Sequence, residues 1–273
     1  MYYLNFFYKK ILNYILRKNI EKNLLFPGLA IFNNDYVCRE ILINGLYEKN
    51  ECIFIKNKLI KKRFKNKVFI DIGAHVGNHS LFYSKYFKKI LSFEPNRSTF
   101  DLLKLNTKSY SNIKIFNIGI SNKREKKNLF YNSFNMGGGS FDKKNFSIFE
   151  EKRKFVQKNI NLNKLDNLLK NFNEKIGFIK IDIEGFEKKA LEGMKKILDR
   201  HSPIIIMEIE NRYIKESELI HLMKQLKYFY LYEITDKYIF PFNFFNKNLK
   251  LKRINNLKKK YYSTVVCSKK NIL

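Results

Sequence analysis

The stretch Val68-Phe69-Ile70-Asp71-Ile72-Gly73-Ala74-His75-Val76-Gly77-Asn78-His79-Ser80 decides how the rest of the chain is read. A short apolar run, 68–72, ends in a glycine-containing turn. That is the pattern of a strand buried on both faces in a parallel sheet. Asn78 is placed to cap a helix over about 79–88. Outward from this unit the pattern repeats. Ile90–Phe93 reads as a second strand ending at Glu94-Pro95, followed by a helix over about 97–109. Ile113–Ile120 reads as a third strand ending near Gly119. Residues 121–175 read as an irregular insertion with a hairpin at Lys127–Phe134, a triple glycine at Gly137–Gly139 and a short helix near Leu165–Phe172.

Ile176–Asp182 is the fourth strand, and the next helix places Phe186, Ala190, Leu191, Met194 and Ile197 on one face. Pro203–Ile209 is the fifth strand. A helix over 216–227, a strand Phe229–Ile234 and a last strand Tyr262–Ser268, reached through a basic connection, complete the chain. Five strand–helix alternations predict an α/β fold: a doubly wound, Rossmann-like parallel sheet with helices on both faces. Residues 67–273 form this domain, and residues 1–66 a small helical extension or lid. Ligands of such sheets bind at the carboxyl ends of the strands. Asp71, Glu94, Gly119, Asp182 and Glu208 fall at or near those ends.

The loop after the first strand is D-x-G-x-x-x-G, not the G-x-G-x-x-G of dinucleotide binders. Asp71 before the turn suits a ligand ammonium group better than a pyrophosphate. Glu94 follows 23 residues later, at the end of the second strand, where a carboxylate accepts both hydrogen bonds of a ribose diol. Together they point to S-adenosylmethionine. On the fourth strand Asp182 and Glu184 stand where an acceptor binds, placed to orient a hydroxyl or take its proton. Alternation puts Lys180, Asp182 and Glu184 on one side if the strand runs that far. Glu187 reads more simply as a favourable charge at a helix start. His75 and His79 have i, i+4 spacing, but H-E-x-x-H is absent because position 76 is Val, so they read as pocket lining and no metal is expected. His201 and His221 read as surface residues, and Asp166 as a helix anchor.

In these blocks the chain resembles the FkbM family of S-adenosylmethionine-dependent methyltransferases. The resemblance rests on residues 68–80, S-F-E-P-N (92–96), N-x-G-x-S (117–121), L-N-K-L-D-N-L (162–168), I-K-I-D-I-E-G-F-E (179–187) and P-I-I-I-M-E-I (203–209), over roughly residues 35–234. It implies a class I methyltransferase fold and O-methylation of a sugar or related hydroxyl, as in glycan biosynthesis. By the match, Asp71, Gly73 and Gly77 cradle the methionine part and Glu94 the ribose. Ala74, His75, Asn78, Pro95 and Gly119 complete the candidate cofactor set, and Asp182 and Glu184 are the candidate catalytic pair. An upstream Gly45-Leu-Tyr-Glu48 matches the family's G-x-x-E element. It reads equally as a domain-edge turn or as a lid over the cofactor.

Composition bounds the alternatives. The 273 residues carry a formal charge of +29, from 54 Lys+Arg against 25 Asp+Glu. That balance raises an RNA methyltransferase, or a non-catalytic basic binding protein on this fold, as other readings. Yet Lys outnumbers Arg 45 to 9 and Ala numbers only 3, the signature of an A/T-rich coding sequence. The excess charge is thus weak evidence of a nucleic-acid partner. Its distribution is more informative, with +9 in residues 1–67 (14 minus 5) and +9 in residues 235–273 (10 minus 1).

Hydrophobic residues at 45% exclude global disorder. Cys38, Cys52 and Cys267 are odd in number and widely spaced, against a disulfide scaffold and in keeping with a cytoplasmic protein. No run of 18 apolar residues is present, so no membrane span is expected. Residues 2–16 show helical apolar spacing at Leu4, Tyr8, Ile11, Leu12 and Ile15. They read first as a helix packed on the domain and second as an interfacial membrane helix. With the basic flanks, the second reading predicts peripheral contact with an anionic membrane, where a lipid-linked glycan acceptor is presented.

Overall fold

Side chains alternate across a strand, and here the alternation sorts chemistry as well as apolarity. On Val68–Ile72, residues Val68, Ile70 and Ile72 enter one core, while Phe69 enters a second core on the opposite face and leaves Asp71 on that same side. The computed structural model describes residues 2–21, 29–132, 135–141, 155–210, 215–236, 249–255, 257, 259 and 261–273.

Three helices come first: α1 (Tyr2–Glu21), α2 (Tyr36–Asn44) and α3 (Lys49–Ile55). Then follow β1 (Val68–Ile72), α4 (Asn78–Tyr83), β2 (Lys89–Phe93), α5 (Arg97–Thr107) and β3 (Ile113–Phe116). The insertion contributes β4 (Gly119–Ile120), β5 (Glu125–Asn132), β6 (Asn135–Ser140), β7 (Phe155–Asn163) and α6 (Leu165–Leu168). The chain continues through β8 (Ile176–Ile181), α7 (Glu187–Glu192), α8 (Lys195–His201), β9 (Ile204–Glu210) and α9 (Glu216–Gln225). It closes with β10 (Tyr230–Asp236), β11 (Leu249–Ile254) and β12 (Tyr261–Ser268).

The large sheet has the order β11-β10-β12-β9-β8-β1-β2-β3. Strands β3, β2, β1, β8 and β9 are parallel, and β12 pairs antiparallel to both β9 and β10. This is the expected doubly wound, Rossmann-like sheet, extended at one edge by antiparallel strands. One core lies under α7, α8 and α9, the other under α3, α4 and the turns between α3 and β1. The second is rich in aromatic rings: Phe69 meets Tyr83, Phe87 and Phe178 at centroid distances of 5.3 to 6.0 Å. The cap residues match the geometry. Asp35 accepts from the Cys38 N–H at 2.9 Å to start α2, and Gly45 ends it at φ 79°.

Several expectations need correction. The third strand is not continuous over 113–120. It breaks after Phe116, and Gly119–Ile120 join β7 in a separate four-stranded sheet, β4-β7-β5-β6. The insertion is therefore a small sheet with its own core around Leu129, Tyr131, Phe141, Ile160, Leu162 and Phe186. The triple glycine lies in strand β6. The hairpin residues Ser133 and Phe134 lie outside the described residues, as do 142–154 of the insertion and most of the basic connection before β11. That connection also carries a strand, β11, whose described residues are mostly Lys, Arg, Leu and Ile.

Asn78 does not cap α4. Gly77 is the cap, and the Asn78 side chain instead accepts from the Tyr47 N–H at 3.1 Å and donates to the Tyr47 carbonyl at 3.2 Å. The helix after β8 breaks at Gly193, where a Cβ would lie 2.0 Å from the Ser121 carbonyl oxygen. His201 is buried, and its Nδ1 accepts from the Ile176 N–H at 3.3 Å; His221 is exposed as expected. Asp166 accepts from the N–H groups of Lys196 and Ile197, so it caps α8 rather than its own helix.

The described part of α1 does not pack along its length on the domain. Residues 6–14 are exposed, and only Ile15 and Leu16 are half-buried, where α1 meets α2. All three cysteines are free and buried. Among the described residues no helix is long and apolar enough to cross a membrane.

Candidate active site

Register converts alternation into a site. Asp71 pairs with Ser92 on β2 and with Lys180 on β8, and Lys180 pairs with Ile206 on β9. Paired residues of parallel strands share a face, so Asp71, Lys180, Asp182 and Glu208 all stand on the side covered by α3 and α4. Those elements add Glu48 and His79. The cavity at this end of the sheet, about 290 Å³, is closed from above by α2 and by the small sheet. The Met136 N–H ties these two covers together by donating to Asp35 Oδ2 at 2.8 Å.

One half of the cavity is built around Glu94. Glu94 is 7% exposed; its Oε1 accepts from the Asn96 N–H at 2.9 Å and from the Thr99 hydroxyl at 2.8 Å. Its Oε2 accepts only from the His75 N–H, at 2.9 Å, among the described residues, and a carboxylate oxygen takes two such bonds. Glu94 lines the cavity together with Pro95, Asn96, Gly73, Ala74, His75, Asn78 and Gly119. Phe93, Ile118, Ile120, Leu129 and Phe141 supply apolar wall. A carboxylate with a free acceptor direction beside an apolar slot fits the ribose and base of the S-adenosylmethionine implied by the resemblance.

Two members of the candidate cofactor set stand elsewhere. Asp71 and Gly77 are not among the cavity-lining residues. Asp71 lies beneath the floor, fully buried, and its Oδ2 accepts from the Ser80 hydroxyl at 2.5 Å; Oδ1 has no partner among the described residues. Gly77, at φ 98°, is needed for the turn and for the approach of Leu103. Gly73, at φ 82°, does line the cavity, yet its first constraint is packing. A Cβ there would lie 1.9 Å from the Asp182 carbonyl oxygen. The loop glycine thus locks the end of β1 against the end of β8, which fixes Asp182 relative to the Glu94 half of the cavity.

The other half of the cavity is acidic. Glu48, Asp182, Glu184 and Glu208 line it, with Lys180, His79, Tyr36, Tyr47 and Tyr261. One oxygen from each of Asp182, Glu184 and Glu208 lies within 4.8 Å of the others. Lys180, 5% exposed, places its Nζ 2.8 Å from Asp182 Oδ2. Burial disfavours charge on Asp182, but the Lys180 ammonium outweighs it and holds the carboxyl below its ordinary range. Among the described residues Glu208 has no such partner. Burial and then the Asp182 charge push its carboxyl up to about 8, although the Tyr261 hydroxyl hydrogen-bonds it. Glu184, at φ 49°, and Gly185, at φ 95°, turn the chain sharply after β8, so strand alternation does not reach Glu184.

The remaining predicted residues part company. His79 Nε2 meets Glu48 at 3.1 Å. Burial and Lys180 oppose its charge, but Cys52 and Glu48 outweigh them and hold it up at about 10. His75 is driven the other way by burial, and neither ring nitrogen has a hydrogen-bond partner among the described residues. The two histidines therefore serve different neighbours. Glu48 sits at the mouth of α3 with φ 52° and reaches the cavity, so the G-x-x-E element is both a turn and part of the lining. Glu187 accepts from the N–H groups of Gly185 and Ile183 and starts α7, the structural role.

Glu208 and Tyr261 are two of the cavity residues that lie outside the candidate cofactor and catalytic sets read from the sequence. Glu208 was legible as a strand-end acid. Tyr261 carried no signal, because it arrives only through the antiparallel pairing of β12 with β9.

The sequence model of the methyltransferase FkbM domain matches residues 71–232, more than half of the chain. No curated protein matches. Among solved structures, the methyltransferase FkbM from Methylobacillus flagellatus KT superposes at 14% identity and a TM-score of 0.48, covering 92% of this chain and 59% of that one. An rRNA methylase from Streptococcus thermophilus superposes at 11% identity and a TM-score of 0.43, covering 81% of this chain and 95% of that one. SMU.1697c from Streptococcus mutans, in complex with SAH, superposes at 13% identity and a TM-score of 0.42, covering 81% and 97%. Likenesses this distant add no argument, and the assignment rests on the sequence match together with the sheet and its strand-end carboxylates. The chain belongs to the FkbM methyltransferase family.

Proposed function

We propose that the protein is an S-adenosylmethionine-dependent O-methyltransferase acting on a hydroxyl of a sugar or glycan. The observation that carries the reading is the group of four carboxylates, Glu48, Asp182, Glu184 and Glu208, opening onto the same cavity as the nucleoside cradle proposed around Glu94. Carboxylates accept hydrogen bonds from neighbouring hydroxyls and repel phosphates. A polyhydroxylated acceptor therefore suits this half of the cavity, and an RNA backbone does not, despite the +29 chain.

When bound, S-adenosylmethionine supplies a methyl group activated by its sulfonium. The protein's own part is to hold the acceptor oxygen in line and to take its proton, and positioning dominates such reactions. Asp182, kept charged by Lys180, orients the hydroxyl. Glu208, beside it and closer to neutral pH in its proton affinity, is placed to receive the proton that the acceptor hydroxyl gives up.

Calorimetry with S-adenosylmethionine tests the cradle. Glu94→Ala is expected to weaken binding about tenfold or more, equivalent to about 1.4 kcal/mol. Asp182→Asn is expected to keep cofactor binding and lose turnover. A wild-type protein that does not bind S-adenosylmethionine overturns the reading. Full turnover in Asp182→Asn removes the role given to that residue.

A further inference from the structure

Helix α1 concentrates exposed apolar surface as no other described segment does. Twelve large hydrophobic residues are exposed among the described residues, and six of them fall within nine residues of α1: Phe6, Phe7, Tyr8, Ile11, Leu12 and Tyr14, each 50–71% exposed. At helical periodicity Phe7, Ile11 and Tyr14 form one row, and Tyr8, Leu12 and Ile15 the row beside it. Lys9, Asn13 and Arg17 lie on the opposite side, with Phe6 among them and Lys18 at the C-terminal end of the first row, so the helix is amphipathic with an apolar face that a cation closes.

The charge on this helix decides what covers that face. Residues 2–21 carry four cations, Lys9, Lys10, Arg17 and Lys18, against one carboxylate, Glu21. Lys10 Nζ lies 4.7 Å from the Phe6 ring centroid and Lys18 Nζ 5.8 Å from that of Tyr14, so the ammonium groups flank aromatic rings. Aromatic bodies with lysines alongside suit the boundary between headgroups and acyl chains, where stems lie along apolar surface and charges reach the headgroups. A second copy of this chain is a poor occupant, because each copy brings +29 and repels the other.

We infer that α1 is an interfacial anchor that docks the protein on an anionic lipid bilayer, apolar face down. Docking has a geometric consequence for the cavity. Helix α1 packs on α2, and α2 supplies Tyr36 and Val37 to the cavity lining. A bilayer under α1 thus lies next to an element that walls the site, and an acceptor carried by a lipid reaches it without leaving the membrane. This inference rests on surface properties of α1 and stands whether or not the methyl acceptor is a sugar.

The test is co-sedimentation of the full chain with phosphatidylcholine vesicles and with vesicles of phosphatidylcholine plus phosphatidylglycerol. Binding is expected to the anionic vesicles only, and to fall as salt is raised. The double variant Phe7→Ser/Ile11→Ser is expected to lose at least tenfold in partitioning, and Lys9→Glu/Lys10→Glu to lose the preference for the anionic lipid. Both variants are expected to keep the far-ultraviolet circular dichroism and the S-adenosylmethionine affinity of the parent, which separates failure to dock from failure to fold. Absence of binding to anionic vesicles overturns the inference. So does full binding by Phe7→Ser/Ile11→Ser, and so does a stable dimer in light scattering that the same double variant dissolves.

Discussion

Asp182 and Glu208 carry the same functional group, and their surroundings divide their work. Lys180 lies 2.8 Å from Asp182 and stabilises its anion, while Glu208 feels burial and the charge of Asp182 and is driven up to about 8. A base must be deprotonated to act. With Glu208 as the base, kcat/KM is expected to fall with a slope of one as pH drops below about 8. Glu208→Gln is expected to remove that limb and lower kcat by about 10²–10⁴-fold. A pH–rate profile measured for both proteins decides the matter, and an unchanged limb in the variant assigns the proton elsewhere.

The same shift acts on stability. The folded protein keeps a proton on Glu208 that the unfolded chain has already released, so folding stability declines as pH rises from the ordinary carboxylate range through about 8. Glu208→Gln is expected to flatten that decline in urea melts across the same window. A parallel loss in both proteins contradicts it.

At the scale of elements, two contacts join the insertion to the helix layer. Gly193 separates α7 from α8, and the Ser121 carbonyl occupies the space where its side chain would be. Gly193→Ala is expected to destabilise by about 1–3 kcal/mol through overpacking. Asp166 closes the N-terminus of α8 from outside, and Asp166→Ala is expected to cost about 1 kcal/mol as a lost cap. Urea denaturation reads both, and a change below about 0.3 kcal/mol, close to the limit within which independent effects add, removes the assigned contact.

The elements also show where sequence reasoning reaches and where it stops. Buried parallel strands were legible, because a strand such as Phe69–Ile72 is apolar on both faces and ends in a turn. The Glu94 position followed from the end of β2, and Asp182 from the end of β8. The small sheet was not legible. Strands β5 and β7 pair across about thirty residues of chain, and Lys126, Lys158 and Asn159 on them face solvent, so neither strand shows a continuous apolar pattern. Tyr261 was illegible for a related reason. Its place depends on β12 entering between β9 and β10 in the reverse direction, a long-range choice that no local spacing records. Gly73 was found for one reason and kept for another: the turn was readable, but the Asp182 carbonyl pressing on it was not.

At the scale of the whole molecule, a strongly basic surface encloses a carboxylate-lined cavity. The two features point to different partners. The charge, densest toward both ends of the sequence, favours anionic surfaces, while the proposed function puts a hydroxyl-bearing group rather than a phosphate among the cavity's carboxylates. Surface attraction is screened by salt, whereas chemistry inside the cavity is screened far less. Vesicle or polyanion binding is thus expected to fall steeply with ionic strength while the KM for a neutral sugar acceptor stays nearly constant. A KM that climbs as steeply with salt as polyanion binding falls would place a charged acceptor in the site.

The most direct measurement follows the methyl group itself. The protein is incubated with S-adenosylmethionine bearing a deuterated methyl, together with the glycan fraction and the RNA fraction of its source cells, and both are digested and analysed by mass spectrometry. A deuterated methyl ether on one glycan sugar, lost with Asp182→Asn and with Glu208→Gln, is the expected result. Label in nucleosides and none in sugars, or label in sugars undiminished by either substitution, contradicts it.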